Sequence, residues 1–179
     1  MKLVILDRDG VINEDSDNYI RSTNDCIPIA GSIESIVKFN NAGFTVSVAT
    51  NQSGLARNYF SLPVLHQIHY KLQCLVAEQG GEIDTFFFCP HSPDDNCACR
   101  KPKAGIFQYI SNYYGLDLDH VPAIGDSERD LIASTQVDAK PILVLTGKGN
   151  HTLKSINNNH YPVYENLLEV SRQIIGKQK

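Results

Sequence analysis

The sequence predicts an α/β fold: a Rossmann-like open parallel sheet with helices on both faces. Three observations carry this expectation. Short apolar runs rich in β-branched residues alternate with segments of helical period. The chain between successive runs is long enough for a crossover helix, which joins parallel rather than antiparallel strands. The runs end in short polar or glycine-containing segments, the places where such sheets bind ligands.

Taken in order, Lys2–Leu6 reads as a buried strand closed by Asp7. Gly31 and Ser32 open a helix with Ile33, Ile36 and Val37 on one face, and Gly43 stops it. Phe44–Ala49 is the second strand. Ser61 is the expected N-cap of a long helix. Its Leu65, Ile68, Leu72, Leu75 and Val76 follow the helical period, and Gly80-Gly81 closes it. Ile83–Phe88 is the third strand. Ala104–Tyr114 is helical, with Ile106, Phe107 and Ile110 inward. Val121–Ile124 is a short fourth strand, and the helix after it carries Leu131–Ser134. Pro141–Leu145 is the fifth strand and Leu167–Ile175 a final helix. Asn157-Asn158-Asn159 reads as an exposed loop.

At roughly 150 residues per domain, the 179 residues make one domain spanning the whole chain, 1–179. With 42% hydrophobic and 20% charged residues, the chain can bury a core, which excludes a disordered polymer. The net charge of −4 disfavours a generally basic nucleic-acid surface. No membrane span or leader is readable, so a cytoplasmic monomer without membrane or nucleic-acid partners is expected.

Chemistry gathers at the strand ends. The first strand delivers Asp7-Arg8-Asp9-Gly10, with Arg8 readable as a solvated charge. The second delivers Thr50, Asn51, Gln52, Ser53 and Gly54. The fourth delivers Gly125-Asp126-Ser127, with Asp130 further on. Carboxylates crowded on one sheet edge need a cation or a shared proton, and hard oxygen ligands favour Mg2+. Asp126, directly after its strand, is the better metal ligand, and Asp130 a brace. Such a set suits phosphoryl transfer. One aspartate attacks phosphorus, and the second, two residues on, moves the proton. Thr50 and the following backbone amides hold phosphate oxygens, and Arg100-Lys101-Pro102 supplies a lysine. No nucleotide-binding loop is present, since Gly147-Lys148-Gly149 lacks the rest of a dinucleotide motif. A phosphatase therefore fits better than a kinase.

Of five cysteines, three cluster, as Cys89-Pro90-His91 and Cys97-Ala98-Cys99. Three sulfurs and one imidazole suit tetrahedral zinc with no position open for water, hence a structural site. The competing readings are a reduced cysteine cluster beside a surface histidine, and a disulfide, which a cytosolic chain disfavours. Cys26 and Cys74 read as free thiols, with Cys74 in the core. His66, His69, His120, His151 and His160 have no evident partners.

At these residues the chain resembles the haloacid dehalogenase superfamily of magnesium-dependent phosphatases. Asp7-x-Asp9-Gly10-Val11 is similar to its first motif, Thr50 to the second, Lys101 to the third, and Gly125-Asp126-x-x-x-Asp130 to the fourth. The resemblance implies Asp7 as nucleophile, Asp9 as general acid/base, and Thr50 and Lys101 as phosphoryl stabilisers. It implies Mg2+ held by Asp7, the Asp9 carbonyl and Asp126. Asp7–Asn13, Thr50–Arg57 and Cys99-Arg100-Lys101-Pro102 resemble the heptose-bisphosphate phosphatase branch in particular. That branch removes the 7-phosphate of a phosphorylated sugar, D-glycero-D-manno-heptose 1,7-bisphosphate, on the route to the ADP-heptose of lipopolysaccharide. It implies substrate contacts from Arg100, Asp15 and Tyr19, and a zinc loop at 89–99. Some members of the branch carry Lys after the fourth-motif Asp, where Ser127 stands here. Histidinol-phosphate phosphatases share the zinc loop and the Arg-Lys-Pro segment. The chain between the motifs leaves no room for an inserted cap, so a capless enzyme is expected. A nucleic-acid end phosphatase meets the charge objection above. A non-catalytic zinc-stabilised binding module would leave Asp7, Asp9, Thr50, Lys101 and Asp126 without a purpose.

Overall fold

The structure is a computed structural model describing residues 1–156 and 161–176. The strands are β1 (Lys2–Leu6), β2 (Phe44–Asn51), β3 (Thr85–Cys89), β4 (Pro122–Gly125), β5 (Lys140–Val144) and β6 (Val163–Tyr164). They form one sheet in the order β3-β2-β1-β4-β5-β6, with every neighbouring pair parallel. The helices are α1 (Ser32–Asn41), α2 (Leu62–Glu78), α3 (Gly105–Tyr114), α4 (Glu128–Thr135), α5 (Gly149–Ser155) and α6 (Leu167–Gly176). Strand order reverses between β1 and β4, which opens a crevice beyond their carboxyl ends.

The pleat sends alternate residues of each strand to opposite faces. Val4 and Leu6, with Val46, Val48, Ile124, Ile142 and Val144, pack beneath α1, α2 and α6, through residues such as Ile36, Phe39, Leu72 and Val170. Leu3, Ile5, Ala49 and Ala123 face the other way, onto Ile106, Phe107 and Ile110 of α3 and Ala133 of α4. Each such fully buried large apolar side chain contributes about 1.5–3 kcal/mol. A sheet covered on both sides explains why β1 reads as a continuous apolar run.

The expected elements are all present, with shifted ends. β2 runs on to Asn51, because its ladder to β3 continues from Ser47↔Thr85 to Asn51↔Cys89. β3 accordingly starts two residues late. Ile83 is buried in the core, but only Asp84 opens the pairing, donating to Val46 O. Ser61 precedes α2 as expected, yet its side chain makes no capping hydrogen bond. Phe39 joins the inward face of α1, while Val37 is half-buried. Two elements lie outside the sequence expectation. β6 is a two-residue edge strand, too short to show a period. α5 is a polar seven-residue helix directly after Gly147-Lys148. The Asn157-Asn158-Asn159 loop lies outside the described residues. No helix of the described residues is long and apolar enough to cross a membrane. Neither residues 10–31 nor 52–101 hold a separate cap, only loops, α2, β3 and a short 3₁₀ turn at Pro93–Asp95.

Candidate active site

β1, β2 and β4 end together at the crevice, and their next residues form its floor. Lys101 is 2% exposed, and its ammonium makes three contacts. Nζ lies 3.1 Å from Asp7 Oδ1 and 2.7 Å from Asp130 Oδ1, and donates to Ala49 O at 2.7 Å. The Asn51 side chain pins this lysine's backbone, accepting from Lys101 N and donating to Lys101 O. Asn51 therefore spends its side chain on positioning Lys101. Asp7 Oδ1 also accepts from Arg8 N at 2.8 Å. Burial pushes the Asp7 carboxyl up to about 6, against the pull of Lys101.

Arg8 is fully buried rather than solvated, a correction to the sequence expectation. Its Nε and Nη2 grip both oxygens of Asp9 at 2.9 Å. Asn13 Nδ2 and Gln52 Nε2 add donors to the same carboxylate, and Gln52 also donates to Thr50 Oγ1. Burial works to raise the Asp9 pKa, but Arg8 and these donors outweigh it and hold it below the usual value. The third guanidinium nitrogen, Nη1, lies 3.3 Å from His69 Nε2. His69 also stacks on Phe86 at 4.2 Å between ring centres. Burial first, and Arg8 second, push His69 down to about 3. His69 is therefore neutral and accepts from Arg8, so it does have a partner.

Asp7, Asp126 and Asp130 bring carboxylate oxygens within 4.8 Å of one another. Two of these groups differ in how they are engaged. Asp130 is committed to Lys101 and to a capping box, accepting from Ser127 N at 3.0 Å and Ser127 Oγ at 2.6 Å. Asp126 has Oδ2 on Lys148 N, while its buried Oδ1 has no protein partner. Burial pushes Asp126 up to about 8, with Asp130 and Asp7 adding to the shift. The Asp126 carboxylate is cradled by glycines. A Cβ on Gly10 (φ +84) or on Gly147 (φ +54) would strike it. A buried carboxylate oxygen without a donor, beside a second carboxylate, is the environment a hard dication relieves. The residues present fit Mg2+.

The second cluster is Cys89, His91, Cys97 and Cys99. The Sγ–Sγ distances are 3.3, 3.6 and 3.6 Å, and His91 Nδ1 lies 3.6 Å from Cys89 Sγ and 3.3 Å from Cys99 Sγ. A zinc tetrahedron spaces such ligand atoms about 3.5–3.8 Å apart. All cysteines are free thiols, so the disulfide reading falls. Cys74 is half-buried on α2, not core as expected. The cluster could hold zinc with all four positions filled by protein. It is tied to the crevice, because Gln52 N and Ala56 N donate to Cys89 O and Pro90 O. Arg100 Nη1 likewise donates to His91 O at 3.2 Å.

Above the floor lies a cavity of about 170 Å³. Asp7, Asp9, Asp15, Tyr19, Thr50, Asn51, Gln52, Ser53 and Arg100 all line it. Among residues with a proposed catalytic or substrate role, Lys101 alone does not, and it reaches the cavity through Asp7. The roof is the 14–26 loop, held from three sides. Lys148 Nζ pairs with Asp15 Oδ2 at 3.1 Å. Lys71 of α2 donates to Thr23 O and Cys26 O. Tyr19 and Arg21 both pack on the Tyr59 ring. Lys148 also lines the cavity, as does Arg129, which sequence reasoning missed. Ser127, with its hydroxyl committed to Asp130, does not.

A strand-end aspartate beside a buried lysine, at the switch point of a parallel sheet, places the chain among haloacid-dehalogenase-like hydrolases. Residues 98–170 match the HAD-hydrolase-like family model. Over 175 residues the chain is 48% identical to the D-glycero-β-D-manno-heptose-1,7-bisphosphate 7-phosphatase of Pseudomonas putida, covering 98% of this chain and 100% of the relative. The Pseudomonas aeruginosa enzyme of the same name is 50% identical over 173 residues, 97% of each chain. A crystal structure of D,D-heptose 1,7-bisphosphate phosphatase from B. bronchiseptica, complexed with magnesium and phosphate, matches with a TM-score of 0.97 at 46% identity over 99% of both chains. The chain belongs to the D-glycero-β-D-manno-heptose-1,7-bisphosphate 7-phosphatase family.

Proposed function

We propose that this chain hydrolyses the 7-phosphate of D-glycero-D-manno-heptose 1,7-bisphosphate, as a Mg2+-dependent monomer of the cytoplasm supplying ADP-heptose synthesis. The observation that carries the reading is the Asp7 carboxylate at the cavity floor, beside the unpartnered buried Oδ1 of Asp126. Asp7, Asp126 and the Asp9 carbonyl would hold Mg2+, which when bound offsets charge on the transferring phosphoryl group. Cys89, His91, Cys97 and Cys99 would hold a structural Zn2+.

Asp7 attacks phosphorus, forming an aspartyl phosphate as the bond to the sugar C7 oxygen breaks. Lys101 and the Arg8 backbone N–H fix Oδ1, which leaves Oδ2 to attack. Thr50 and the backbone amides of Asn51, Gln52 and Ser53 take phosphoryl oxygens. Asp9 first gives a proton to the departing oxygen and then takes one from the water that cleaves the aspartyl phosphate. In the resting state Arg8 keeps Asp9 ionised, so the arriving phosphate charge must raise its proton affinity for the first step.

The test is phosphate release with Mg2+ from both heptose bisphosphate anomers and from histidinol phosphate, which the shared motifs leave as the competing substrate. The expected result is a kcat/KM for one heptose anomer well above that for histidinol phosphate. The reverse preference would overturn the assignment.

A further inference from the structure

Tyr59 is an aromatic ring that the core does not use. It sits in the loop between β2 and α2 and is 44% exposed, while its neighbour Phe60 is buried. Phe60 fills the space where a Cβ on Gly54 would stand, and so anchors the loop. The Tyr59 ring turns instead to the roof. It meets the Tyr19 ring edge-on, at 5.0 Å between centroids, and the Arg21 guanidinium lies 4.6 Å over it. Ring-edge and cation contacts are directional, so they fix where these roof residues sit as well as holding them. Lys148 holds the roof at Asp15, and Lys71 holds it at Thr23 and Cys26. Tyr59 grips the stretch between those ends.

The base of this grip belongs to the phosphate end of the crevice. Tyr59 N donates to Gly54 O at 2.9 Å, Asn58 N to Leu55 O at 3.0 Å and Arg57 N to Ser53 O at 3.1 Å. The loop is thus a closed turn continuous with the 50–53 segment that lines the cavity. Asn58, at φ +56, makes the left-handed turn into Tyr59, a conformation asparagine tolerates. Tyr19 stands at φ +65, where a tyrosine is strained and stays only if its surroundings dictate it. Among the described residues that line the cavity, Tyr19 is the one aromatic side chain, and all the others except Ile20 are charged or polar. A sugar phosphate carries hydroxyls around its ring and C–H groups on the ring faces. The polar groups suit the hydroxyls, and Tyr19 is the surface on which a C–H face can lie.

We infer that Tyr59 is a positioning residue for substrate selection: it holds the Tyr19 ring over the crevice, so that the sugar of the leaving group lies between that ring and the 50–53 segment. This rests on the heptose bisphosphate reading above and adds the residue that shapes its sugar site. Tyr59 itself does not line the cavity, so it acts through Tyr19.

The experiment compares kcat/KM for D-glycero-D-manno-heptose 1,7-bisphosphate and glycerol 3-phosphate, both with Mg2+. Each presents a phosphate ester of a primary alcohol, and only the first has a sugar ring. In Tyr59→Ala the wild-type preference for the heptose should fall by about 10-fold or more, mainly as a higher KM, with glycerol 3-phosphate turnover unchanged. Tyr59→Phe keeps the ring and should keep the preference. Tyr19→Ala should lose at least as much as Tyr59→Ala, and combining the two should cost little more, because one residue acts through the other. Equal losses on both substrates would overturn the inference, since Tyr59 would then support the phosphate-binding turn. An unaltered preference in Tyr59→Ala, or losses that multiply in the double variant, would overturn it as well. A wild type with no preference for the heptose over glycerol 3-phosphate would overturn the substrate reading itself, so the two failures are distinguishable.

Discussion

Single residues carry the chemistry, and their neighbours decide in which state they wait. Asp7 is the proposed nucleophile, so Asp7→Asn should cost at least about 10⁴-fold in kcat, the scale of losing an attacking group. Steady-state phosphate release measures this, and substantial retained turnover would sink the role. Asp7, Asp9 and Asp126 could be placed at the crevice because they follow strand ends, Thr50 because it closes the second apolar run, and Lys101 only through the Arg-Lys-Pro segment behind the cysteine cluster. The state of Asp9 was not readable, because it depends on burial. Arg8 alternates with two aspartates and looks like surface charge, yet it is wholly enclosed. His69 lies sixty-one residues away on α2, and only the packing of α2 on the sheet brings it to Arg8. Its pH consequence has a definite sign. His69 is held near 3 in the fold, against about 6.5 in the unfolded chain. The unfolded state thus binds the extra proton first. The stability this neutral histidine provides is fully present above about pH 6.5 and is lost as pH falls towards 3, by up to roughly 4–5 kcal/mol. His69→Gln keeps an acceptor for Arg8 but does not titrate. Its urea midpoint should fall less than that of wild type between about pH 7 and pH 4.5. Equal falls would show that His69 is not held neutral in the fold.

At the scale of elements, the sheet was legible and the fine edges were not. Short apolar runs locate β1, β2, β4 and β5 to within two residues, since burial on both faces forces continuous hydrophobicity. β6 and α5 escape for the opposite reason, being too short or too polar to show a period. The zinc loop was legible as a ligand set, and its mechanical connection became visible only in the fold. Cys89 ends β3, and Arg100 and Lys101 follow Cys99 directly. The loop is bonded both to residues 52–56 and to the Arg100 guanidinium. A metal at this cluster would hold both cations with little freedom, which favours a preorganised phosphate site. Removing zinc with a chelator, or replacing Cys97 by Ser, should lower kcat/KM by about 10- to 100-fold, although zinc touches no reacting atom. Metal content by atomic spectroscopy, measured on the same sample as activity, checks this. A demonstrably zinc-free protein with full activity would break the link between loop and catalysis.

For the whole molecule, the crevice concentrates what the rest of the fold avoids, which is buried like charge. The net charge of −4 says little about it. Position at the switch point of the strand order was predictable from topology alone. The roof was not, because Lys71, Tyr59 and Lys148 reach it from three separate segments. The cost of the crevice appears in how stability depends on pH. Burial raises Asp7 to about 6 and Asp126 to about 8, against an unfolded value of 3.8. A carboxyl raised in the fold holds its proton longer there than in the unfolded chain. Its contribution to stability is therefore fully present below about pH 3.8 and lost as pH rises through the folded values. Without metal, the crevice carboxylates should thus destabilise the protein progressively between about pH 4 and pH 8. Mg2+ binds the ionised pair, and by mass action it stabilises only the fold that presents both carboxylates. The rise in Tm on adding about 10 mM Mg2+ should therefore be small at about pH 5.5, where Asp126 is protonated, and larger at about pH 8.5. Thermal denaturation across this range, with the metal content of the Cys89-His91-Cys97-Cys99 cluster held constant, separates Mg2+ from any ion held there. A Mg2+-induced shift of equal size at both ends would mean that ionisation of Asp126 and Asp7 does not create the site.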